Sequence, residues 1–219
     1  TLTIPSGTIS VITVTANWTI NKYAVTFNTN SGTAVANQTI DHGGYVNPLP
    51  TTTRTGFTFG GWFTDAAFTT AFTTTTPVTS AMTVYAKWTQ ITYTVQFNVD
   101  GGTAVANQTI PQGGFVSPLP TTTKTGYTFG GWFTDAAFTT AFTTTTAITA
   151  NRTVYAKFTI NTYTVTFKDH DGTTLKTQTV NHGTAATAPA NPSRTGYTFT
   201  GWSSTFTNIT ANLTVNAQY

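Results

Sequence analysis

Arg54-Thr55-Gly56-Phe57-Thr58-Phe59-Gly60-Gly61-Trp62 is followed seventy residues later by Lys124-Thr125-Gly126-Tyr127-Thr128-Phe129-Gly130-Gly131-Trp132. After seventy more comes Arg194-Thr195-Gly196-Tyr197-Thr198-Phe199-Thr200-Gly201-Trp202. In the first copy Phe57, Phe59, Gly61 and Phe63 alternate with Thr58, Gly60 and Trp62, the period of a half-buried strand. The Gly60-Gly61 pair inside that strand predicts a bulge or a close backbone approach. A stretch that returns at a fixed interval makes this a repeat protein, one supersecondary unit used several times.

Outward from this stretch the repetition holds. Residues 55–76 recur at 125–146 with one change, Phe57 to Tyr127, and residues 32–40 recur unchanged at 102–110. The third copy is looser and is nine residues shorter between Trp202 and its last strand, where the Thr-rich insert of the other copies falls. With their linkers the repeats are 23–92, 93–162 and a shortened 163–219. Residues 1–22 form a fourth piece. Val14-Thr15-Ala16-Asn17-Trp18 resembles Val84-Tyr85-Ala86-Lys87-Trp88, so the chain is expected to begin with the last strand of a preceding partial repeat, plus a linker.

Inside one repeat, Tyr23, Val25 and Phe27 alternate with Ala24 and Thr26 as a first strand. Asn30-Ser31-Gly32, replaced by Asp100-Gly101-Gly102 in the second copy, has the residues that accept positive φ in a tight hairpin turn. Residues 34–40 read as a second strand. Pro48 and Pro50 leave room for a helical turn or an extended crossover over 45–50. The motif quoted first gives a third strand. Residues 65–77 are an insert whose Phe68 and Phe72 are expected to cover the core edge. Met82, Val84, Ala86 and Trp88 mark a final strand. The linkers, 19–22, 89–92 and 159–162, contain neither Gly nor Pro, which favours a semi-rigid array over beads on a flexible string. The expected fold is β-dominated (α+β): three tandem modules with mixed four-stranded sheets, in an elongated arrangement.

Composition agrees. Thr occupies about a quarter of the positions, there is no Glu, and charged residues make up 7%, against about 25% in an ordinary soluble domain. β-branched Thr favours strands. The net charge of +3 comes without any Lys/Arg cluster, which argues against a nucleic-acid surface. Cysteine is absent, removing disulfides, thiolate metal sites and Cys nucleophiles together. No apolar run is long enough to span a bilayer, and no signal peptide opens the chain.

The motif set is similar to that of a known family. A Tyr-Thr-Val-Thr-Phe opening strand, an Asn/Asp-Gly-Gly turn, the Arg/Lys-Thr-Gly-Tyr/Phe-Thr-Phe-x-Gly-Trp motif and a closing Thr-Val-Tyr-Ala-Lys-Trp resemble the Listeria–Bacteroides repeat, the B-repeat type of internalin B and other bacterial surface proteins. The resemblance covers residues 23–219. It implies a β-grasp-like module, a mixed sheet crossed by a short helix, in secreted or wall-attached proteins with stalk or adhesion roles. It brings no catalytic residues. The low charge departs from better-charged members, so no partner is carried over.

Candidate chemistry is sparse. His42 and His182 share a repeat position held by Gln112 in the second copy, and His170 stands where the turn residues Asn30 and Asp100 do; all three read as solvated turn residues. Asp169-His170-Asp171-Gly172 lacks the ligand spacing and closing Glu of a calcium loop and reads as a hairpin turn. No Ser nucleophile elbow or triad accompanies the hydroxyls, and no Gly pair is followed by the Lys-Ser/Thr of a phosphate loop. Lys87 and Lys157 fall on the outer strand face, which argues against a Lys–Asn isopeptide bond. The Asn-x-Thr sequons at Asn17, Asn37, Asn107, Asn151, Asn208 and Asn212 are incidental in a bacterial protein. The expectation is no catalytic residue, no metal and no cofactor.

Three roles compete. The first is a non-catalytic stalk or spacer on the bacterial cell surface, whose partners are its own neighbouring repeats. The second is self-association into an extracellular filament, with Ile9, Val11, Ile12, Val14 and Trp18 forming an intermolecular strand that adds to another chain's sheet edge. The third is a module binding a glycan or host surface protein, with Tyr45, Phe115, Trp62, Trp132 and Trp202 as an exposed aromatic surface; core packing is the competing reading of those rings. None of the three involves nucleic acid or membrane insertion.

Overall fold

The computed structural model describes residues 6–7 and 13–219. The chain packs as two units, Thr1–Ile91 and Thr92–Tyr219. The first holds one sheet and the second holds two, each sheet with its own core. Among the described residues there is no helix.

The first sheet contains β1 (Lys22–Asn28), β2 (Gln38–Asp41), β3 (Phe57–Phe63), β4 (Ala71–Phe72) and β5 (Met82–Gln90) in the order β2-β1-β5-β3-β4. The second repeats that order with β6 (Thr92–Asn98), β7 (Gln108–Pro111), β8 (Tyr127–Phe133), β9 (Ala141–Phe142) and β10 (Arg152–Ile160). The third has four strands, β11 (Thr162–Lys168), β12 (Thr174–Asn181), β13 (Gly201–Trp202) and β14 (Leu213–Gln218), ordered β12-β11-β14-β13. In each sheet the first and last strands are parallel neighbours, with Val25 beside Met82, Val95 beside Arg152 and Val165 beside Leu213. Every other pairing is antiparallel. These are the mixed sheets expected from the sequence, arranged as in a β-grasp.

A parallel pair needs a crossover connection, usually a helix. Here extended chain does that work. Pro48 and Pro50 lack amide hydrogens and resist helix. The 45–50 segment lies over the sheet, with Val46 fully buried and Pro50 O accepting a 2.8 Å hydrogen bond from Trp62 Nε1. The short helix that the resemblance implied is therefore replaced by a strap pinned through one indole N–H.

The alternation seen in sequence becomes burial. Val25, Phe27, Val84 and Ala86 are buried, and Tyr23, Phe59, Met82 and Trp88 pack around them. The Gly60-Gly61 bulge is real and has a consequence. Phe59 opposes Trp88 while Trp62 opposes Ala86, so one extra residue sits on β3 and the inward phase shifts. Gly61 takes φ of 100° to allow this. Trp62, not Phe63, faces the core, edge-on to Phe27 at 4.9 Å and to Phe59 at 5.5 Å between ring centroids.

The second strand is shorter than expected in the first two modules. The Asn30-Ser31 turn, both residues at positive φ, closes with Gly32 N donating to Thr29 O. Thr33 then leaves the hairpin: its amide donates to Thr53 O, and its carbonyl accepts from buried Thr52 Oγ1 at 2.7 Å. Thr103, Thr122 and Thr123 repeat this arrangement. In the third module Pro192 stands at the Thr52 position, no hydroxyl draws the strand away, and β12 runs unbroken for 8 residues. The insert adds a short edge strand, β4 or β9, which carries the buried Phe72 or Phe142. The third copy lacks that insert, and Phe206 packs on Phe167 at 5.3 Å.

Candidate functional site

The five rings considered for an exposed aromatic surface do not form one. Trp62 and Trp132 are each 2% exposed and belong to the core, and Trp202 is half-buried against Phe167. The bulge that turns the first two inward is the physical reason. Tyr45 and Phe115 do stand in solvent, 54% and 51% exposed, at the same repeat position at the start of the crossover strap. Between that strap and the bulged strand of the first module runs a mostly apolar groove of about 470 Å³, lined by Leu49, Pro50, Phe59, Gly61 and Phe72.

Of the proposed intermolecular strand, Ile9, Val11 and Ile12 lie outside the described residues. Val14 and Trp18 are exposed, and residues 13–20 join no sheet. The strand that Val14 to Trp18 resembles is β5, which is central and hydrogen-bonded on both sides, to β1 and to β3. A sheet edge could satisfy only one of those two ladders.

Carboxylates are committed to structure. Asp41 pairs with Lys22, and Asp100 with Lys124. Asp65 caps the start of the insert by accepting hydrogen bonds from the amides of Thr69 and Thr70 and from Thr69 Oγ1. The backbone bond from Thr69 is the main cause of its lowered pKa. Asp135 does the same with Thr139 and Thr140, again led by the Thr139 amide. This cap shapes a loop in which Phe68 holds φ at 57° and packs edge-on against Phe63, on the outer face rather than at the core edge. Lys87 Nζ lies 5.2 Å from the Phe63 ring on that same face, and Lys157 likewise sits over Phe133 and Phe138.

Donor atoms of Asp169, His170 and Asp171 lie within 4.8 Å of one another. Their hydrogen bonds are those of a turn. Asp169 O accepts from Gly172 N, Asp171 Oδ1 from Thr173 N at 2.9 Å, and Asp169 Oδ1 from the His170 amide and from Tyr219 OH at 2.6 Å. The Tyr219 hydroxyl is the leading cause of the lowered Asp169 pKa, and the Thr173 amide that of Asp171. Desolvation, then the Asp169 acceptor, pushes the Tyr219 phenol up to about 12.

Sequence reading missed the joint inside the second unit. One residue, Asn161, separates β10 from β11. Its amide donates to Gly126 O at 2.8 Å, its carbonyl accepts from His182 N at 2.8 Å, and its Oδ1 accepts from Thr128 Oγ1 at 2.6 Å. His182 is not a solvated turn residue. It is half-buried, its ring stands 5.9 Å from that of Tyr163, and its Nδ1 is closed off from solvent without a hydrogen-bond partner. A Cβ on Gly126 would come within 2.1 Å of His182 Cδ2, so the imidazole rests on bare backbone. The repeated Thr-Gly-aromatic motif was the available signal, but only the fold shows that it meets the next module.

The model of the Listeria-Bacteroides repeat domain matches residues 23–87, 93–157 and 163–218, one match per sheet. The chain belongs to the Listeria–Bacteroides repeat family. Its relatives are longer. A putative membrane protein of Evansella cellulosilytica is 32% identical over 193 residues, 87% of this chain and 29% of that protein. A putative Gly-rich membrane protein of the same organism is 32% identical over 194 residues, 87% of this chain and 22% of that protein. Internalin H of Listeria monocytogenes is 39% identical over 180 residues, covering 78% of this chain and 31% of its own length. The chain thus spans less than a third of each of these relatives.

Proposed function

We propose that this repeat array is a non-catalytic, tension-bearing stalk or spacer of a bacterial cell-surface protein. One observation carries the reading. In each module the first and last strands, where the chain enters and leaves, are adjacent and parallel. Tension on the chain then pulls those two strands past each other along their length. Their hydrogen bonds are loaded together in shear, instead of one after another as in a peeled hairpin. Single residues, Ile91 and Asn161, join the last strand of one module to the first of the next, so little slack precedes the load. The carboxylates serve turns, caps and ion pairs rather than a shared cleft. Membership of the Listeria–Bacteroides repeat family, with two proteins named as putative membrane proteins and Internalin H among the relatives, supports the location.

Single-molecule stretching tests this directly. Each module should open in one cooperative step, releasing roughly 200 Å of chain at about 3.3–3.6 Å per residue. Its opening force should be well above that for the same module pulled through an attachment in β4 or β9, which peels the edge. Equal forces for the two geometries would overturn the stalk reading.

A second reading rests on Tyr45 and Phe115. Exposed aromatic rings at the same site of two near-identical modules suit a repeating, low-affinity contact with a glycan or host surface protein. Loss of retention on a glycan or host-cell surface in the Y45A/F115A double variant is its test.

A further inference from the structure

We propose that a notch on the outer face of the second module is a binding site for an N-acetylhexosamine unit of a glycan. The notch measures about 360 Å³ and is lined by Asn98, Asp100, Ala136, Phe138, Tyr155 and Ala156. Tyr155 alternates along β10 with Val154 and Ala156, which are buried in the core, so its ring stands on the opposite side of the sheet. Ala156 reaches the notch through its backbone, since its side chain belongs to the core.

The first two modules differ in what happens at this place. Asn30 and Asp100 hold the same turn position, with φ of 46° and 44°, and their amides donate to Asn28 Oδ1 and Asn98 Oδ1 respectively. The backbones match, but the side chains do not. Asn30 Nδ2 donates to Ala86 O at 2.8 Å and ties the turn of the first module to its last strand. A carboxylate has no hydrogen to give. Asp100 pairs instead with Lys124, whose Nζ lies 3.3 Å from Oδ2 and 2.7 Å from the Asp100 carbonyl oxygen. Among the described residues no side chain donates to Ala156 O, and Asp100 Oδ1 accepts no hydrogen bond.

The notch therefore offers the carbonyl that an amide N–H satisfies in the first module, and beside it a carboxylate oxygen and two aromatic rings. An N-acetylhexosamine matches each part. Its acetamido N–H replaces the missing donor at Ala156 O. Its methyl group and the C–H face of the sugar suit the rings of Phe138 and Tyr155. Its hydroxyls can donate to Asp100 Oδ1 and accept from the Asn98 amide. A cation fits less well, because Lys124 already pairs with Asp100 and Lys157 Nζ lies 5.9 Å from the Phe138 ring centroid. The aromatic wall is preformed. Asp135 accepts from the Thr139 and Thr140 amides and caps the loop that holds Phe138 at φ of 57°, a conformation in which bulky residues are strained. The third module lacks this insert, and with it any counterpart of Phe138. Among the described residues the second module alone joins the aromatic wall to an open carbonyl.

The site rests on neither tension nor Tyr45 and Phe115, so its outcome is separable from theirs. The test is an NMR titration of the chain with N,N′-diacetylchitobiose, cellobiose and fully deacetylated chitobiose, which carry an acetamido, a hydroxyl or an ammonium group at the 2-position. The acetylated sugar should shift the resonances of Asn98, Asp100, Phe138 and Ala156 and bind about tenfold more tightly than cellobiose, the effect of one well-made hydrogen bond. D100N restores the amide of the first module. It should abolish these shifts while β6 and β10 keep their exchange protection. N30D should do the reverse and bring new shifts at Phe68 and Ala86. Y45A/F115A should leave the titration unchanged. Bacterial wall glycan strands and mucin-type glycans both contain N-acetylhexosamine, and retention of the chain but not of D100N on one of them identifies the polymer. Equal binding of cellobiose overturns the proposal, as does tighter binding of the deacetylated sugar. So does a D100N chain that binds as before, or an N30D chain that gains no site.

Discussion

Gly32 lies beneath the edge of the Trp88 indole: a Cβ built on it would sit 2.6 Å from Trp88 Cζ2 and 2.7 Å from Thr52 Oγ1. The close approach lets Trp88 Nε1 reach Thr29 O across the hairpin turn. Gly102 is as crowded, 2.7 Å from Thr122 Oγ1 and 2.9 Å from Phe158 Cζ. Overpacking a tight core costs about 1–3 kcal/mol. We expect G32A to destabilise the first module by that amount, and G102A the second. Denaturant melts of each variant, with Trp88 fluorescence reporting the first module, check this; an unshifted midpoint would show that the indole simply moves aside.

Thr52 is buried, and its hydroxyl donates to Thr33 O while lying 3.1 Å from Thr33 Oγ1. Valine has nearly the same shape and no donor. T52V leaves Thr33 O without its side-chain partner; Thr33 is exposed, so the cost is that of one ordinary hydrogen bond, about 0.5–1.5 kcal/mol. It also removes the bond that draws Thr33 out of the hairpin. Amide exchange should therefore show faster opening at Thr33 and Thr53, and T122V should do the same at Thr103 and Thr123. Unchanged exchange at these positions would mean that the Thr33 and Thr53 backbone pairing alone sets the hairpin length.

Much of this was legible in the sequence, because strands announce themselves by local alternation. The β1 and β5 cores, the Asn30-Ser31 turn and the Gly60-Gly61 bulge are all local signals. What was hidden is what alternation cannot encode. A bulge resets the phase, so Trp62 reads as outward until the register with β5 is known. A two-residue strand such as Ala71–Phe72 has no period to detect. The shortening of β2 depends on Thr52, a residue 19 positions from its partner Thr33. The Gly126–His182 contact joins two modules, and neither residue looks unusual within its own repeat.

Asp65 and Asp135 hold their inserts through hydrogen bonds to the ionised carboxylate, and both pKa values are lowered from 3.8. A carboxyl with a depressed folded pKa contributes stability that is present above the unfolded value and lost as pH falls through the folded one. The inserts should therefore be intact at neutral pH and loosen only below about pH 4. Carbon-detected titration should place both carboxyls below 3.8, with Thr69, Thr70, Thr139 and Thr140 amides losing protection over the same range. D65N, which keeps one acceptor oxygen but not the charge, should loosen the first insert at neutral pH and leave the second untouched. Loss of protection that begins well above pH 4 in the unaltered chain would contradict this account.

Gly126 and Gly196 provide a matched pair for weighing the joint. They occupy the same repeat position with φ of 78° and 76°, yet a Cβ on Gly126 meets His182 whereas one on Gly196 meets nothing within 4 Å. Alanine at either site incurs the left-handed backbone penalty of about 1–2 kcal/mol. Only G126A adds a clash across the joint. G196A should thus lower the stability of the third module modestly and leave the Asn161 and His182 amides protected. G126A should in addition free those two amides to exchange and narrow the resonance of the His182 ring, while β8 and β10 keep their pairing. If the two variants affect Asn161 and His182 alike, the imidazole is a bystander and the Asn161 hydrogen bonds alone make the joint.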